Sequence, residues 1–501
     1  MLDNFADLLS GFGVALSWWN LLYCLIGVTV GMLVGVLPGI GPTTGTALLI
    51  PLTYGMEPVS AIIMLAGIYY GGMYGGTITS VLINTPGEAA SVITCLDGNP
   101  LAKQGRAGVA LGVAASGSFI GGIVSILGLA LIGPPLAEWA LKFGPTEMFS
   151  LMLFGLTMVV GLMGTSMIRG LVAIFIGLIL SIVGMDPVSG ALRYTFDQPF
   201  LIGGMDLVTI SMGLFGLSEI FIGMEDLSAV GRPEKIKKLW PEKDEMKPVA
   251  GAIGRGTILG FFTGLIPGTS SAVPALISYS MEKRLSKHPE KFGKGAVEGV
   301  AGPETANNSY CGGAMIPLLT LGIPSSPTIA ILLGAFIMHG LTPGPTLFSE
   351  QPVFVWGIIA SMFIGNAILL IMNLPLAGYW AKIATIPAKL LYPIVLIISV
   401  LGAYTVNNDL FDVVVMLIAG AVGYIMKKID IPMAPIVLTY VLSSMMETAL
   451  LQSVKMNGSM AGLVTSPISL VMIIISAAVL VFSLYAEMKN KKSALLADSD
   501  G

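Results

Sequence analysis

Apolar windows of about 20 residues recur along the chain from Trp18 to Tyr485, and short polar stretches separate them. Because a helix of about 20 residues is long enough to cross the hydrocarbon of a bilayer, this pattern predicts an all-α, polytopic membrane protein of about 12 transmembrane segments or half-segments. Uninterrupted spans are predicted at 107–132, 148–168, 170–188 and 205–223, and then near 353–373, 388–404, 410–426, 433–449 and 466–486.

Four further apolar runs are broken by proline and glycine. The runs 21–54 and 251–281 are interrupted at PGIGP and PGTSS, which leaves two arms of about 15 residues and predicts a re-entrant hairpin in each case. The runs 58–95 and 295–341 are interrupted at NTPGE and GIPSS, and each is expected to cross the membrane once as a broken helix. Backbone amides freed by a break are tolerated only against protein or around a watery cavity, so the breaks are candidate binding sites.

The two halves of the chain repeat this arrangement. The motif GVLPG at 35–39 matches GLIPG at 264–268, and Tyr74-Gly-Gly followed by Pro86 matches Cys311-Gly-Gly followed by Pro324. The chain is therefore divided into a first membrane repeat at 1–223, a linker at 224–250, a second membrane repeat at 251–465, and a last transmembrane helix with a tail at 466–501.

The distribution of basic residues predicts how the repeats are oriented. No Lys or Arg precedes Lys103, whereas the linker and the tail are rich in lysine. The positive-inside rule then places the N-terminus in the periplasm and the linker and the C-terminus in the cytoplasm. Since the first hairpin opens outward and the second opens inward, the two repeats are expected to be inverted in the membrane.

Composition excludes a soluble protein and gives little support to an enzyme. The chain is 54% hydrophobic and 11% charged, with a mean hydropathy of +0.87. It contains no HExxH, GxSxG or Walker A sequence, and its three cysteines are far apart without a CxxC spacing, which is typical of packing residues. Without a P-loop in this chain, any transport is expected to be powered by an ion gradient.

Polar side chains near the four breaks are the candidate site residues. Helix N-termini attract anions and unwound carbonyls coordinate cations, so a carboxylate could be held without a permanent arginine. The residues predicted to bind the substrate are Gly39, Gly41, Thr43, Thr44, Asn84, Thr85, Pro86, Gly87, Pro267, Gly268, Thr269, Ser270, Ser271, Pro324, Ser325 and Ser326.

A second group is predicted to serve the coupling ion. Glu304, Asn307 and Asn308 lie upstream of the GIPSS break, and intramembrane acids are costly and usually functional. Sodium is favoured over a proton, and neither a transition metal nor a cofactor is predicted. The alternative for all these positions is packing, because glycines allow close helix approach, and Ser, Thr and Asn hold helices together in any large bundle.

Several long motifs, in the same order, resemble the large membrane subunit of the tripartite tricarboxylate transporters, the TctA family. They are VGVLPGIGPTTGTALLIPLTYGMEP, GGTITSVLINTPGE, YSMEKRLSKHPEKFGKGAVEGVAGPETANNSYCGGAMIPLLTLGIPSSP and HGLTPGPTLF. This resemblance covers nearly the whole chain. The chain departs from it where PGTSS replaces a glycine-richer tip and where Ser325-Ser326 follows Pro324 in place of the usual glycine.

The resemblance implies a secondary transporter of the bacterial inner membrane that imports tri- or dicarboxylates such as citrate. It also implies two partners, a small membrane subunit (TctB-like) and a periplasmic solute-binding protein (TctC-like), and no nucleic acid. The alternative is a non-transporting scaffold or a channel component. A scaffold has no need for paired breaks at mid-membrane, and a channel would need a continuous polar path.

Overall fold

A computed structural model describes residues 2–37, 39–161, 167–186, 189–225, 236 and 238–499. The described chain is almost entirely helical, and eight of its helices are long and apolar enough to cross a membrane. Four shorter apolar helices accompany them, at Pro145–Val160, Met167–Ser181, Leu207–Gly223 and Pro327–Met338. The predicted all-α, polytopic membrane fold is confirmed.

The helices of the first half follow the predicted spans and breaks. They are α1 Leu2–Ala15, α2 Trp18–Val36, α3 Pro42–Leu49, α4 Pro58–Ile83, α5 Ser91–Leu101, α6 Ala107–Ala140, α7 Pro145–Gly161, α8 Met167–Ser181, α9 Leu207–Ser211 and α10 Ser218–Gly223. Short 3-10 turns at Ile50–Thr53 and Pro199–Leu201 and π-helical segments at Ala102–Arg106 and Met212–Leu217 complete this half.

The helices of the second half reproduce the order of hairpin, broken helix and long spans. They are α11 Lys243–Gly264, α12 Ala272–Leu285, α13 Glu298–Leu321, α14 Pro327–Met338, α15 Leu347–Glu350, α16 Pro352–Asn373, α17 Ala377–Ile383, α18 Ala388–Asn407, α19 Leu410–Lys428, α20 Ala434–Asn457 and α21 Pro467–Ser499. Two 3-10 turns lie at Pro289–Lys291 and Met460–Val464.

In each half, the first arm of the hairpin packs against the broken helix through glycines at every fourth position. On α2 these are Gly27, Gly31 and Gly35, and a Cβ added at Gly35 would lie 2.2 Å from the carbonyl oxygen of Gly72 on α4. Only glycine allows the two backbones to approach this closely.

The second half contains the same glycine ladder on α11. Its members are Gly256, Gly260 and Gly264, and a Cβ added at Gly260 would lie 2.2 Å from the carbonyl oxygen of Ala306 on α13. The two ladders are related by the same offset along the chain as the GVLPG and GLIPG motifs. The internal repeat is therefore visible in the packing as well as in the motifs.

Both broken helices end in the same backbone conformation. Asn84 closes α4 with φ 58° and Gly322 closes α13 with φ 69°, each in the left-handed region. This conformation ends a helix and favours glycine or asparagine. The hairpin tips also correspond, because Gly39 and Gly268 have φ of 82° and 80°.

Asp97 joins the two halves at one end. This fully buried residue of α5 accepts hydrogen bonds through Oδ1 from the backbone amides of Gly293, Gly295 and Ala296, at 2.9, 2.7 and 2.8 Å. These amides belong to the loop that leads into α13. Three donors compensate for the loss of water around the carboxylate oxygen.

Some elements differ from the expectations drawn from the sequence. Helix α1, which packs on α16, was not predicted, and the span predicted at 170–188 ends as a helix at Ser181. A two-stranded antiparallel hairpin follows, with β1 Gly184–Met185 paired to β2 Leu192–Arg193. Helix α11 begins at Lys243, inside the predicted linker. Pro38, residues 162–166 of a predicted span and most of the linker (226–235 and 237) lie outside the described residues.

Candidate functional site

A cavity of about 400 Å³ lies where hairpin tips and helix breaks of both halves meet. Its wall is formed by the tip between α2 and α3, the break between α4 and α5, the tip before α12 and the start of α14. The predicted substrate-binding residues that line it are Gly39, Gly41, Thr43, Thr44, Pro86, Gly87, Ser270, Ser271 and Ser326.

Hydrogen bonds fix the first hairpin tip against the other walls. The hydroxyls of Thr43 and Thr328 are 2.7 Å apart, which links the start of α3 to the start of α14. Thr44 donates to the carbonyl oxygen of Phe215 at 2.9 Å, in the π-helical segment between α9 and α10. Such π segments inside α-helices are frequent at functional sites.

Three helices begin at the cavity wall. Helix α3 begins at Pro42, α12 at Ala272 and α14 at Pro327, and residues at or next to each of these starts line the cavity. The free amides and the positive end of the helix dipole make a helix N-terminus favourable for an anion. Ser326 caps α14 by accepting from the amide of Ile329 at 3.4 Å.

Other predicted residues do not line this cavity. They are Asn84, Thr85, Pro267, Gly268, Thr269, Pro324 and Ser325. Asn84 is exposed at the end of α4. The hydroxyl of Thr269 donates within its own tip, to the carbonyl of Ile266 at 2.9 Å, and that of Ser325 is directed to the carbonyl of Ala314 at 3.5 Å. In the structure these polar groups satisfy the backbone around the breaks.

The cavity wall also contains residues that sequence reasoning did not select. Glu88 ends the NTPGE break, Glu219 lies on α10, and Tyr310 and Thr328 lie on α13 and α14. Glu219 is, with Asp206, one of two acids within the apolar run 205–223. The rule that intramembrane acids are functional could have identified both glutamates from the sequence.

The predicted ion group divides between two environments. Glu304 is buried, and its carboxylate accepts from the hydroxyl of Thr77 at 2.6 Å and from the hydroxyl of Thr94. Asn308 donates to Ser118 Oγ at 2.7 Å, and it also lines a small separate cavity of about 20 Å³. Its side-chain oxygen is buried and has no hydrogen-bond partner among the residues that the structure describes.

Asn307 is directed toward the larger cavity. Its Nδ2 donates to Glu88 Oε1 at 2.6 Å, although Glu88 was not part of the predicted ion group. Among the described residues, no Lys or Arg forms an ion pair with Glu88 or Glu304. Glu219, by contrast, pairs with Lys427 of α19.

Comparison with known proteins identifies relatives over the whole chain. The model of the family described as "Tripartite tricarboxylate transporter TctA family" matches residues 21–438. An uncharacterized 52.8 kDa protein in the TAR-I ttuC' 3'region of Agrobacterium vitis is 44% identical over 503 residues, covering 100% of both chains. An uncharacterized protein in the TAR-II ttuC' 3'region of the same organism is 41% identical over 242 residues, which is 48% of this chain and 100% of the relative. No solved structure matches.

Proposed function

The chain belongs to the tripartite tricarboxylate transporter TctA family, and from this premise we propose that it is the large permease subunit of a binding-protein-dependent secondary transporter. Its substrates are tri- or dicarboxylates of the citrate type. It works in the bacterial inner membrane, with the N-terminus in the periplasm and the C-terminus in the cytoplasm.

The observation that carries this proposal is the convergence of three helix N-termini, those of α3, α12 and α14, on one cavity shared by the two halves. Hydroxyls of Thr43, Ser270 and Ser271 lie in the same wall. Positive helix ends and neutral hydroxyl donors suit the carboxylate groups of a substrate. We place the substrate between the hairpin tips and the two broken segments.

Transport is driven by an ion gradient, with sodium as the coupling ion. The support for this step is the group formed by Glu304, Asn307 and Asn308, in which carboxylate and amide oxygens are buried on one helix. Oxygen ligands of this kind bind hard cations. Two amide oxygens of the group, Asn307 Oδ1 and Asn308 Oδ1, have no hydrogen-bond partner in the described part of the chain.

Two partner proteins complete the transporter. A tripartite system requires a small membrane subunit and a periplasmic solute-binding protein that delivers the carboxylate. The described part of this chain consists largely of apolar helices, and delivery is assigned to the separate binding protein.

Uptake by proteoliposomes tests the proposal. Citrate uptake is measured with the large subunit alone, with each partner, and with both partners. Each measurement is made under an inward sodium gradient and again with choline in place of sodium. Uptake that needs both partners and sodium is the expected result. Full-rate uptake by this chain alone would contradict the tripartite assignment, and gradient-independent flux of citrate would support the channel alternative.

A further inference from the structure

Glu88 occupies a fixed position at the junction of the substrate cavity and the predicted ion group. It lies in the break between α4 and α5 and lines the cavity. Ser91 Oγ accepts from its backbone amide at 3.1 Å and donates to its carbonyl at 2.9 Å, which holds the backbone of the break. Its carboxylate accepts from Asn307 Nδ2 at 2.6 Å.

The charge of this carboxylate is not balanced by the protein. No Lys or Arg in the described chain forms an ion pair with it, and the Glu304 carboxylate is close enough to interact with it unfavourably. The other glutamate of the cavity wall, Glu219, has Lys427 as its counter-ion. An ionised Glu88 would therefore present an uncompensated negative charge to an anionic substrate, whereas the charge of Glu219 is compensated by Lys427.

The amide of Asn307 supplies the second observation. Asn307 is 1% exposed, and its Oδ1 has no hydrogen-bond partner in the described chain. Because Oδ1 and Nδ2 belong to one planar amide, the hydrogen bond from Nδ2 to Glu88 also holds Oδ1 within a few ångströms of that carboxylate. A buried carbonyl oxygen without a donor is costly, whereas a carbonyl and a carboxylate oxygen together supply two of the roughly six oxygen ligands of a typical site for a hard cation.

We propose that Glu88 and Asn307 Oδ1 bind a sodium ion in the wall of the cavity, and that this ion neutralises Glu88 so that a carboxylate substrate can bind beside it. The inference rests on the proposed function and adds Glu88 to it as the residue that links the two ligands. Linkage is reciprocal: if sodium raises the affinity for the substrate, the substrate raises the affinity for sodium by the same factor.

Sodium binding is tested first, without any substrate. The melting temperature of the purified protein is measured in sodium chloride and in choline chloride at equal ionic strength. Sodium should stabilise the wild type, as any ligand of the folded state does, and the stabilisation should disappear in Glu88→Gln and in Asn307→Ala. The control Glu57→Gln, the same change at an exposed glutamate before α4 that does not line the cavity, should keep it. If one of the two test variants fails to fold, the other still decides the result.

An absence of sodium-specific stabilisation in the wild type, or its full retention in either test variant, would overturn the site. This result is independent of whether the protein transports carboxylates.

The linkage is tested second, by measuring citrate affinity over a range of sodium concentrations. Affinity should rise about tenfold or more with sodium in the wild type, within the usual range of coupling between two sites. In Glu88→Gln it should be nearly independent of sodium, and higher than in the wild type when sodium is absent.

A wild-type protein that binds sodium but no carboxylate would contradict the proposed function while leaving the sodium site in place. The linkage would be overturned if Glu88→Gln kept the wild-type dependence of citrate affinity on sodium. It would also be overturned if citrate affinity of the wild type changed with pH and not with sodium.

Discussion

Single residues near the breaks divide into those that shape the backbone and those that present a group to the cavity. Asn84 belongs to the first kind, because it ends α4 with φ 58° and ψ 32° and its side chain is exposed. Ser270 belongs to the second kind, because it lines the cavity and its hydroxyl has no hydrogen-bond partner among the described residues. The two residues should respond differently to substitution.

The effect of a substitution at Asn84 on stability should depend on how readily the new residue adopts a left-handed backbone conformation. Most residues with a Cβ pay roughly 1–2 kcal/mol for this conformation, whereas glycine and, among residues with a side chain, asparagine adopt it more readily. Asn84→Ala should therefore lower the melting temperature in detergent, and Asn84→Gly should not. Asn84→Gly should also keep its substrate affinity. A loss of affinity in this variant, at an unchanged melting temperature, would show that the side chain contacts substrate as the sequence predicted.

Ser270→Ala should weaken substrate binding without destabilising the protein. A hydrogen bond to a charged ligand contributes about 1.5–3 kcal/mol, which corresponds to roughly a tenfold to hundredfold change in affinity. Citrate binding to purified protein measures the effect. Ser444→Ala on the exposed face of α20 is the matched control and should bind as the wild type does. Unchanged binding by Ser270→Ala would place the substrate elsewhere.

Pairs of helices in both halves depend on backbone contact at glycine. Along α11, Gly256, Gly260 and Gly264 face α13, whereas Gly254 on the same helix has nothing within 4 Å of a Cβ position. The broken helix α13 is thus held by a neighbour that approaches to backbone contact. The position of Asn307 on α13 relative to the cavity depends on this contact.

Gly260→Ala should prevent correct folding, and Gly254→Ala should not. The new methyl group of Gly260→Ala would lie 2.2 Å from the carbonyl oxygen of Ala306, a backbone atom that cannot move without displacing α13. At Gly254 the methyl group meets open space, and alanine stabilises a helix interior by about 0.5–1 kcal/mol over glycine. Yield and monodispersity on size-exclusion chromatography distinguish the two variants. Normal folding of Gly260→Ala would show that the helices are not in backbone contact.

The sequence predicted some elements well because their signals are local. Pro and Gly interrupt apolar runs at the tips and breaks, so the hairpins and broken helices were recognisable without knowledge of their neighbours. Helix α1 has 14 residues, too few to be read as a span, and it is defined by packing on α16. The two-residue strands β1 and β2 carry no periodic pattern at all.

The cavity itself was predicted only in part, because its wall combines residues that are distant in sequence. The motifs located Thr43, Ser270 and Ser326, which lie at the breaks. They did not reveal that Asn307 reaches Glu88, since that contact depends on how α13 lies against the break after α4. Contacts between the halves follow from tertiary packing, which a motif does not encode.

At the scale of the whole molecule, the two halves share one order of elements around one cavity. Each half supplies a hairpin tip and a helix break to the wall. The charge pattern predicts opposite orientations of the two halves across the membrane. This prediction sets which end of the molecule would meet the proposed periplasmic partner.

Cysteine labelling in intact cells should place the two termini on opposite sides. Asp3→Cys should react with a membrane-impermeant maleimide from outside, and Lys491→Cys should react only after the cells are opened. The unsubstituted protein is the control for background, since Cys24 and Cys311 are buried but Cys95 is partly exposed. Shielding of Asp3→Cys together with labelling of Lys491→Cys would reverse the orientation of the whole molecule.

The three amide hydrogen bonds accepted by Asp97 limit how such a transporter can change shape. They connect α5 of the first half to the loop that leads into α13 in the second, and separating them would leave a buried carboxylate oxygen without these three donors. We therefore expect the contact at Asp97 to stay closed while the two halves move relative to each other. Rocking of one half against the other would displace groups in proportion to their distance from this point, so the opening and closing of the cavity would be greatest at the parts of its wall farthest from Asp97.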